Sequence, residues 1–145
     1  MNKCNKNLME KVLIIAPNFL PESVGGASRI YEMAKEIQNK YDVSVICPPP
    51  TYPFTKYKKS NRIFQKQILD GITIYRIWTY QPSTLNPSFL GRFFYYMIFP
   101  ILTNLFLLTL LRNVSFVIIS TPPSSLLITS WMVRLFRKKL IVDVR

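Results

Sequence analysis

Histidine is absent from this chain, and acids are scarce, with seven Asp and Glu against nineteen Lys and Arg. Without histidine no Ser-His or Cys-His nucleophile can be assembled within it. The two cysteines, Cys4 and Cys47, form no C-x-x-C pair. A disulfide scaffold and a zinc site are thereby excluded, no metal is expected, and a reducing compartment is indicated. No G-x-G-x-x-G follows the first apolar run, so the dinucleotide-binding fingerprint of nicotinamide oxidoreductases is missing. A secretory leader is missing too. The first apolar run, Val12–Ala16, is five residues long and follows Glu10, too short for a signal peptide, which points to the cytoplasm.

The excess of base gives a net charge of +12. That balance selects anionic partners: nucleic acid, anionic lipid headgroups or phosphorylated substrates. At 145 residues, about half of them apolar, the chain is long enough for one domain with a proper core. Residues 1–10 read as a polar tail and 11–145 as the domain.

The stretch Lys11–Ile37 organises the rest. Val12–Ala16 suits a strand buried on both faces. Ile30, Met33, Ala34 and Ile37 follow at the spacing of a one-faced helix. Between them, immediately before the helix, stand Gly25 and Gly26. The first turn of a helix has N–H groups without partners and partial positive charge. Glycines there let a ligand approach the backbone, giving a site suited to phosphate, with Arg29 one turn in as a bidentate charge. The plainer reading makes Gly25-Gly26 a loop turn and Arg29 a solvated helix residue.

Further strands are expected at Val43–Cys47, Ile72–Ile77, Phe116–Ser120 and Leu140–Val144, and a further helix over Ser124–Phe136 with Leu127, Trp131 and Leu135 on one stripe. Thr51–Gln67 reads as a loop carrying five bases and no acid, interleaved with Tyr52, Phe54, Tyr57 and Phe64. It suits a solvated loop, an anionic membrane surface, or stacked bases, the last least. Phe93–Leu111 is nineteen residues without a charge. As a helix it would extend roughly 28 Å, near the thickness of a bilayer core. A span would put strands of one parallel sheet on opposite sides of a membrane, so it is disfavoured. A helix partly sunk in the membrane interface is preferred over a wholly buried one.

The order of elements gives an α/β fold, a Rossmann-like doubly wound parallel sheet. In such sheets ligands bind beyond the strand C-termini, which collects Gly25, Gly26, Thr121, Pro122, Asp143 and Arg145 on one rim.

These residues resemble family 4 glycosyltransferases. The resemblance rests on Ala16-Pro17, Phe19-Leu20-Pro21-Glu22, Gly25-Gly26-Ala27-Ser28-Arg29, the proline run after Cys47, Ser120-Thr121-Pro122-Pro123 and the terminal Asp143-Val144-Arg145. It covers Lys11 to Arg145, and its specificity comes from the order of these short motifs, each of which is weak alone. It is similar to the O-antigen and capsular polysaccharide transferases. It implies the N-terminal, acceptor-side domain of a GT-B enzyme, with the donor domain missing, the chain truncated and by itself inactive. It implies sugar transfer with retention from a nucleotide-diphosphate sugar, without cofactor, to a lipid-linked or saccharide acceptor at the cytoplasmic membrane face. Gly25 and Gly26 match the loop that approaches the donor diphosphate, and Arg29 the basic position after it. Relatives that place a histidine near the reacting sugar have no counterpart here, and no catalytic residue is assigned. A basic membrane-associated or nucleic-acid-binding module without catalysis is the alternative, with nucleic acid the less favoured partner.

Overall fold

A computed structural model describes residues 9–53, 56–81 and 88–144. Most of the expected tail, Cys4, Phe54, the loop at 82–87 and the rim residue Arg145 lie outside the described residues.

Six strands form one sheet: β1 (Lys11–Ile15), β2 (Asp42–Cys47), β3 (Phe64–Leu69), β4 (Ile72–Ile77), β5 (Phe116–Ser120) and β6 (Lys139–Asp143). Their order is β3-β4-β2-β1-β5-β6, and all neighbours are parallel except the β3–β4 hairpin. Three helices cover it: α1 (Gly25–Ile37), α2 (Phe89–Leu110) and α3 (Ile128–Leu135), the last preceded by a 3-10 turn at Ser124–Leu127. The fold is the Rossmann-like α/β arrangement expected.

Alternation along β1 makes two cores. Val12 and Ile14 face α1 with Val45, Ile72 and Ile74, against Ile30 and Ala34. Leu13 and Ile15 face the opposite way, with Ile46, Val117 and Ile119, against Phe99 and Leu107 of α2 and Val133 of α3. Strands before and after α2 share this sheet, and α2 lies against it.

Pro100 sits inside α2 and has no N–H to give the carbonyl one turn back, at Tyr96. Ser125 Oγ donates to that carbonyl at 2.7 Å, which ties the start of α3 to α2.

The structure corrects two expectations about these elements. The end of the expected loop, from Phe64 to Gln67, continues through Leu69 as the edge strand β3, held by β4 through the turn Asp70-Gly71, both at positive φ (49° and 83°). The stripe Leu127, Trp131, Leu135 faces outward; Leu126, Thr129 and Val133 face the core. Along α2 one side stays open, with Phe89 81% and Leu105 61% exposed, so the less favoured reading of a wholly buried helix does not hold.

Candidate functional site at the carboxyl edge of the sheet

The chain runs from β1 through β2 towards β4 in one direction and from β5 to β6 in the other. The sheet therefore reverses between β1 and β5, and the crevice beyond that point is where open α/β sheets take ligands. The segment Pro17–Val24 leaves β1 there for α1, and Thr121–Pro123 leaves β5 for the helix on the opposite face.

Gly25 and Gly26 are not in a loop ahead of the helix, as the sequence suggested. They are its first two residues, behind an extended Val24 that offers no side-chain cap. The helical ladder begins with Ala27 N–H and Ser28 N–H donating to Val24 O at 2.9 and 3.4 Å. The N–H groups of Gly25 and Gly26 have no acceptor among the described residues. A Cβ built on Gly25 meets nothing within 4 Å, so no packing contact requires glycine there.

Arg29, one turn in, reaches across the reversal and pairs with Asp143 at the end of β6. Asp143 also accepts from Ser120 Oγ at 3.0 Å. The Asp143 main-chain carbonyl accepts from Thr121 N–H (2.9 Å) and Thr121 Oγ1 (3.2 Å). Gly25, Gly26, Arg29, Ser120, Thr121 and Asp143 thus share one rim. Pro122 follows on it, solvent-exposed. The Arg29 charge is already engaged: a ligand anion at the helix opening would share this guanidinium with Asp143. The pair is half-exposed at Arg29, so it is worth roughly 0–1 kcal/mol and can be reorganised at little cost. The site is equipped to bind an oxyanion. It holds no free base, and no cluster of metal-ligating side chains occurs among the described residues.

Two buried charges escaped the sequence reading. Glu22 is buried, and its Oε1 accepts from Thr51 N–H (2.7 Å), Thr51 Oγ1 (3.1 Å) and Tyr52 N–H (3.1 Å), pinning the segment after β2 to the loop before α1. Arg76 is buried beneath the same loop. A lone arginine between Tyr75 and Ile77 in an apolar strand was the available signal. Burial pushes the Cys47 thiol beside it up to about 12, against the opposing pull of the Arg76 charge. Burial likewise raises the Tyr95 hydroxyl, which Thr51 hydrogen-bonds.

Two of the described aromatics of Thr51–Gln67 are engaged by the protein itself. Phe64 packs on Tyr75 and Phe106, with ring centroids 5.8 and 4.6 Å away, and Tyr57 donates its hydroxyl to Pro21 O at 2.6 Å.

The C-terminal domain of a hydrogenase from Pyrococcus furiosus shares this fold, with a TM-score of 0.60, 18% identity, and coverage of 92% of this chain and 90% of that one. At that identity the likeness is one of architecture. No protein-family model and no curated protein sequence matches the chain.

Proposed function

We propose that this chain is the acceptor-side domain of a retaining, family 4-type glycosyltransferase. In this reading the opening of α1 takes the diphosphate of a nucleotide sugar. The outer surface of α2 and α3 rests on the anionic cytoplasmic face of a membrane, where a lipid-linked acceptor would lie. The donor half of the cleft belongs to a second domain, and this chain alone binds without turning over.

One observation carries the reading. Two glycines open a helix at the reversal of a doubly wound sheet, their amides have no protein partner, and no packing contact explains why Gly25 is glycine. Backbone N–H groups, the helix dipole and a nearby guanidinium are what a diphosphate requires. The resemblance in sequence supplies the class of reaction.

The membrane part rests on α2 and α3. Segment 89–113 is long and apolar enough to cross a bilayer. A crossing would have to divide a sheet whose strands lie on both sides of it in sequence, so α2 is read as lying in the interface. Arg112, Arg134 and Arg137 border the apolar surface and suit anionic headgroups.

Calorimetric titration with GDP-sugar and UDP-sugar is the test. Saturable binding without product, abolished by filling the helix opening, is expected. Vesicle binding with no nucleotide affinity would instead favour the non-catalytic membrane module, which the same α2 surface supports.

A further inference from the structure

Arg76 is held in the interior, 3% exposed, with no carboxylate at ion-pair distance among the described residues. Strand β4 puts it there, opposite Cys47 of β2 and Gln65 of β3, on the α1 face beyond Ile72 and Ile74. Its Nε donates to Gln67 Oε1 (3.1 Å), its Nη1 to Pro48 O (3.1 Å) and Cys47 Sγ (3.5 Å), and its Nη2 to Leu20 O. Every acceptor is neutral. Glu22 is turned instead to Thr51 and Tyr52. Burying a cation among neutral dipoles leaves desolvation only partly offset, and a counter-anion is the natural complement.

The guanidinium lines a cavity of about 340 Å³, whose lining includes Pro21 but neither Gly25 nor Gly26. Lys58, Ser60, Gln65 and Gln67 line it too, and no acid does. Gln67 spends its Oε1 on Arg76 and keeps its amide nitrogen. Ser60 Oγ accepts from Gln65 Nε2 and from Arg62 N–H, so its own proton is left to donate. The Lys58 ammonium has no partner among the described residues. Two cations and two neutral donors line one space, with one Arg76 N–H left over from its four protein acceptors. We infer that this cavity is an oxyanion site that takes a phosphoryl group, distinct from the opening of α1. Several donors disposed around the space suit a tetrahedral anion with multiple peripheral oxygens better than a planar carboxylate. That the phosphoryl group belongs to the acceptor rests on the function proposed above; the site itself does not.

Heteronuclear NMR at constant ionic strength tests this, with inorganic phosphate in one arm and a short-chain phosphatidate below its micelle concentration in the other. Saturable shifts are expected at Lys58, Gln67 and the Arg76 Nε–H, and Lys58→Ala with Gln67→Glu, which keeps the acceptor for Arg76 and removes the amide donor, should weaken binding about tenfold or more. Lys58 is exposed and glutamate at 67 keeps an acceptor for Arg76 Nε, so this variant should stay folded, whereas Arg76→Met removes four interior hydrogen bonds; circular dichroism checks both. Tighter binding of phosphatidate assigns the group to a lipid, and equal binding to a soluble phosphate; either supports the site. No saturable shift at these residues, or equal affinity in the double variant, overturns it. Nucleotide shifts at Gly25 and Gly26 with this cavity silent to both phosphates would sink the inference and leave the function standing. The reverse pattern would do the opposite.

Discussion

The two helical layers of this sheet differ in a way the sheet does not require. Each buries one stripe: Ala27, Ile30 and Ala34 in α1, Phe99, Thr103 and Leu107 in α2. Behind its stripe α1 presents Glu32, Lys35 and Glu36, whereas α2 presents Phe93, Phe94, Ile101, Leu105 and Leu108. Trp131 and Leu135 extend that surface on α3, with Trp131 69% exposed. Packing on the sheet explains the inner stripe of both helices and the outer surface of neither. A polar outer face needs only water. An apolar one of this breadth points to an apolar partner, because a monomeric protein rarely exposes a patch of more than a few hundred Å².

The largest effect should separate the inner from the outer stripe of α2. Leu107 is fully buried, and Leu107→Ala is expected to destabilise the fold by about 2–5 kcal/mol in chemical denaturation. Leu105→Ala, on the outer stripe, should cost within about 0.5 kcal/mol. Equal losses would mean that α2 is covered on both sides.

The membrane reading makes the second contrast. Phe93→Glu with Leu105→Glu should lower partition onto anionic vesicles by about 30-fold or more without changing thermal stability, since each apolar side chain is worth roughly 1.5–3 kcal/mol on burial. Lys35→Glu on α1 should change it little. Trp131 fluorescence reports the docking, and salt should weaken it. Vesicle binding that depended on α1 rather than α2 would break the comparison.

A smaller effect concerns Cys47, beneath α1. Its folded pKa is raised, so the neutral thiol is favoured and the associated stability is complete below the unfolded value near 9. It is then lost as pH rises towards about 12, with stability falling because only the unfolded thiol ionises in that window. Alkylation of Cys47 at pH 8 should be slow in the folded chain and fast in denaturant, read by peptide mass spectrometry. Rapid alkylation of the native chain would contradict the burial.

The smallest effect has the opposite sign. Thr103 Oγ1 is buried in α2 without a hydrogen-bond partner, so Thr103→Val should be neutral or stabilise by up to about 1 kcal/mol. A clear loss would reveal a partner for that hydroxyl.

Five of the six strands were legible as short runs rich in β-branched and other apolar residues, including the edge strand β6, where Ile141 and Val142 stay exposed. β3 was not, since Phe64, Lys66 and Ile68 alternate with Gln65, Gln67 and Leu69 and neither set is uniformly apolar. What holds β3 is the ladder to β4, and the Asp70-Gly71 turn was the cue that Phe64–Leu69 had to pair back. In α3 the sequence is apolar nearly all round, so periodicity could not choose between Leu127-Trp131-Leu135 and Leu126-Thr129-Val133. The α1 rim was legible because its residues end strands or open helices. The ion pair of Arg29 with Asp143 was not, since it links positions 114 apart in sequence. The buried Arg76 and Glu22 depend on loop packing that no local pattern announces.

Gly25 offers the most direct test of the central claim. There is room for a methyl group at that position, and alanine is the better helix former, so Gly25→Ala should leave stability unchanged or raise it by at most about 1 kcal/mol. If the helix opening exists to bring backbone amides against a diphosphate, that same methyl group should weaken nucleotide-diphosphate binding about tenfold or more in calorimetry. Wild-type and Gly25→Ala chains binding the nucleotide equally, or neither binding it, would contradict the account.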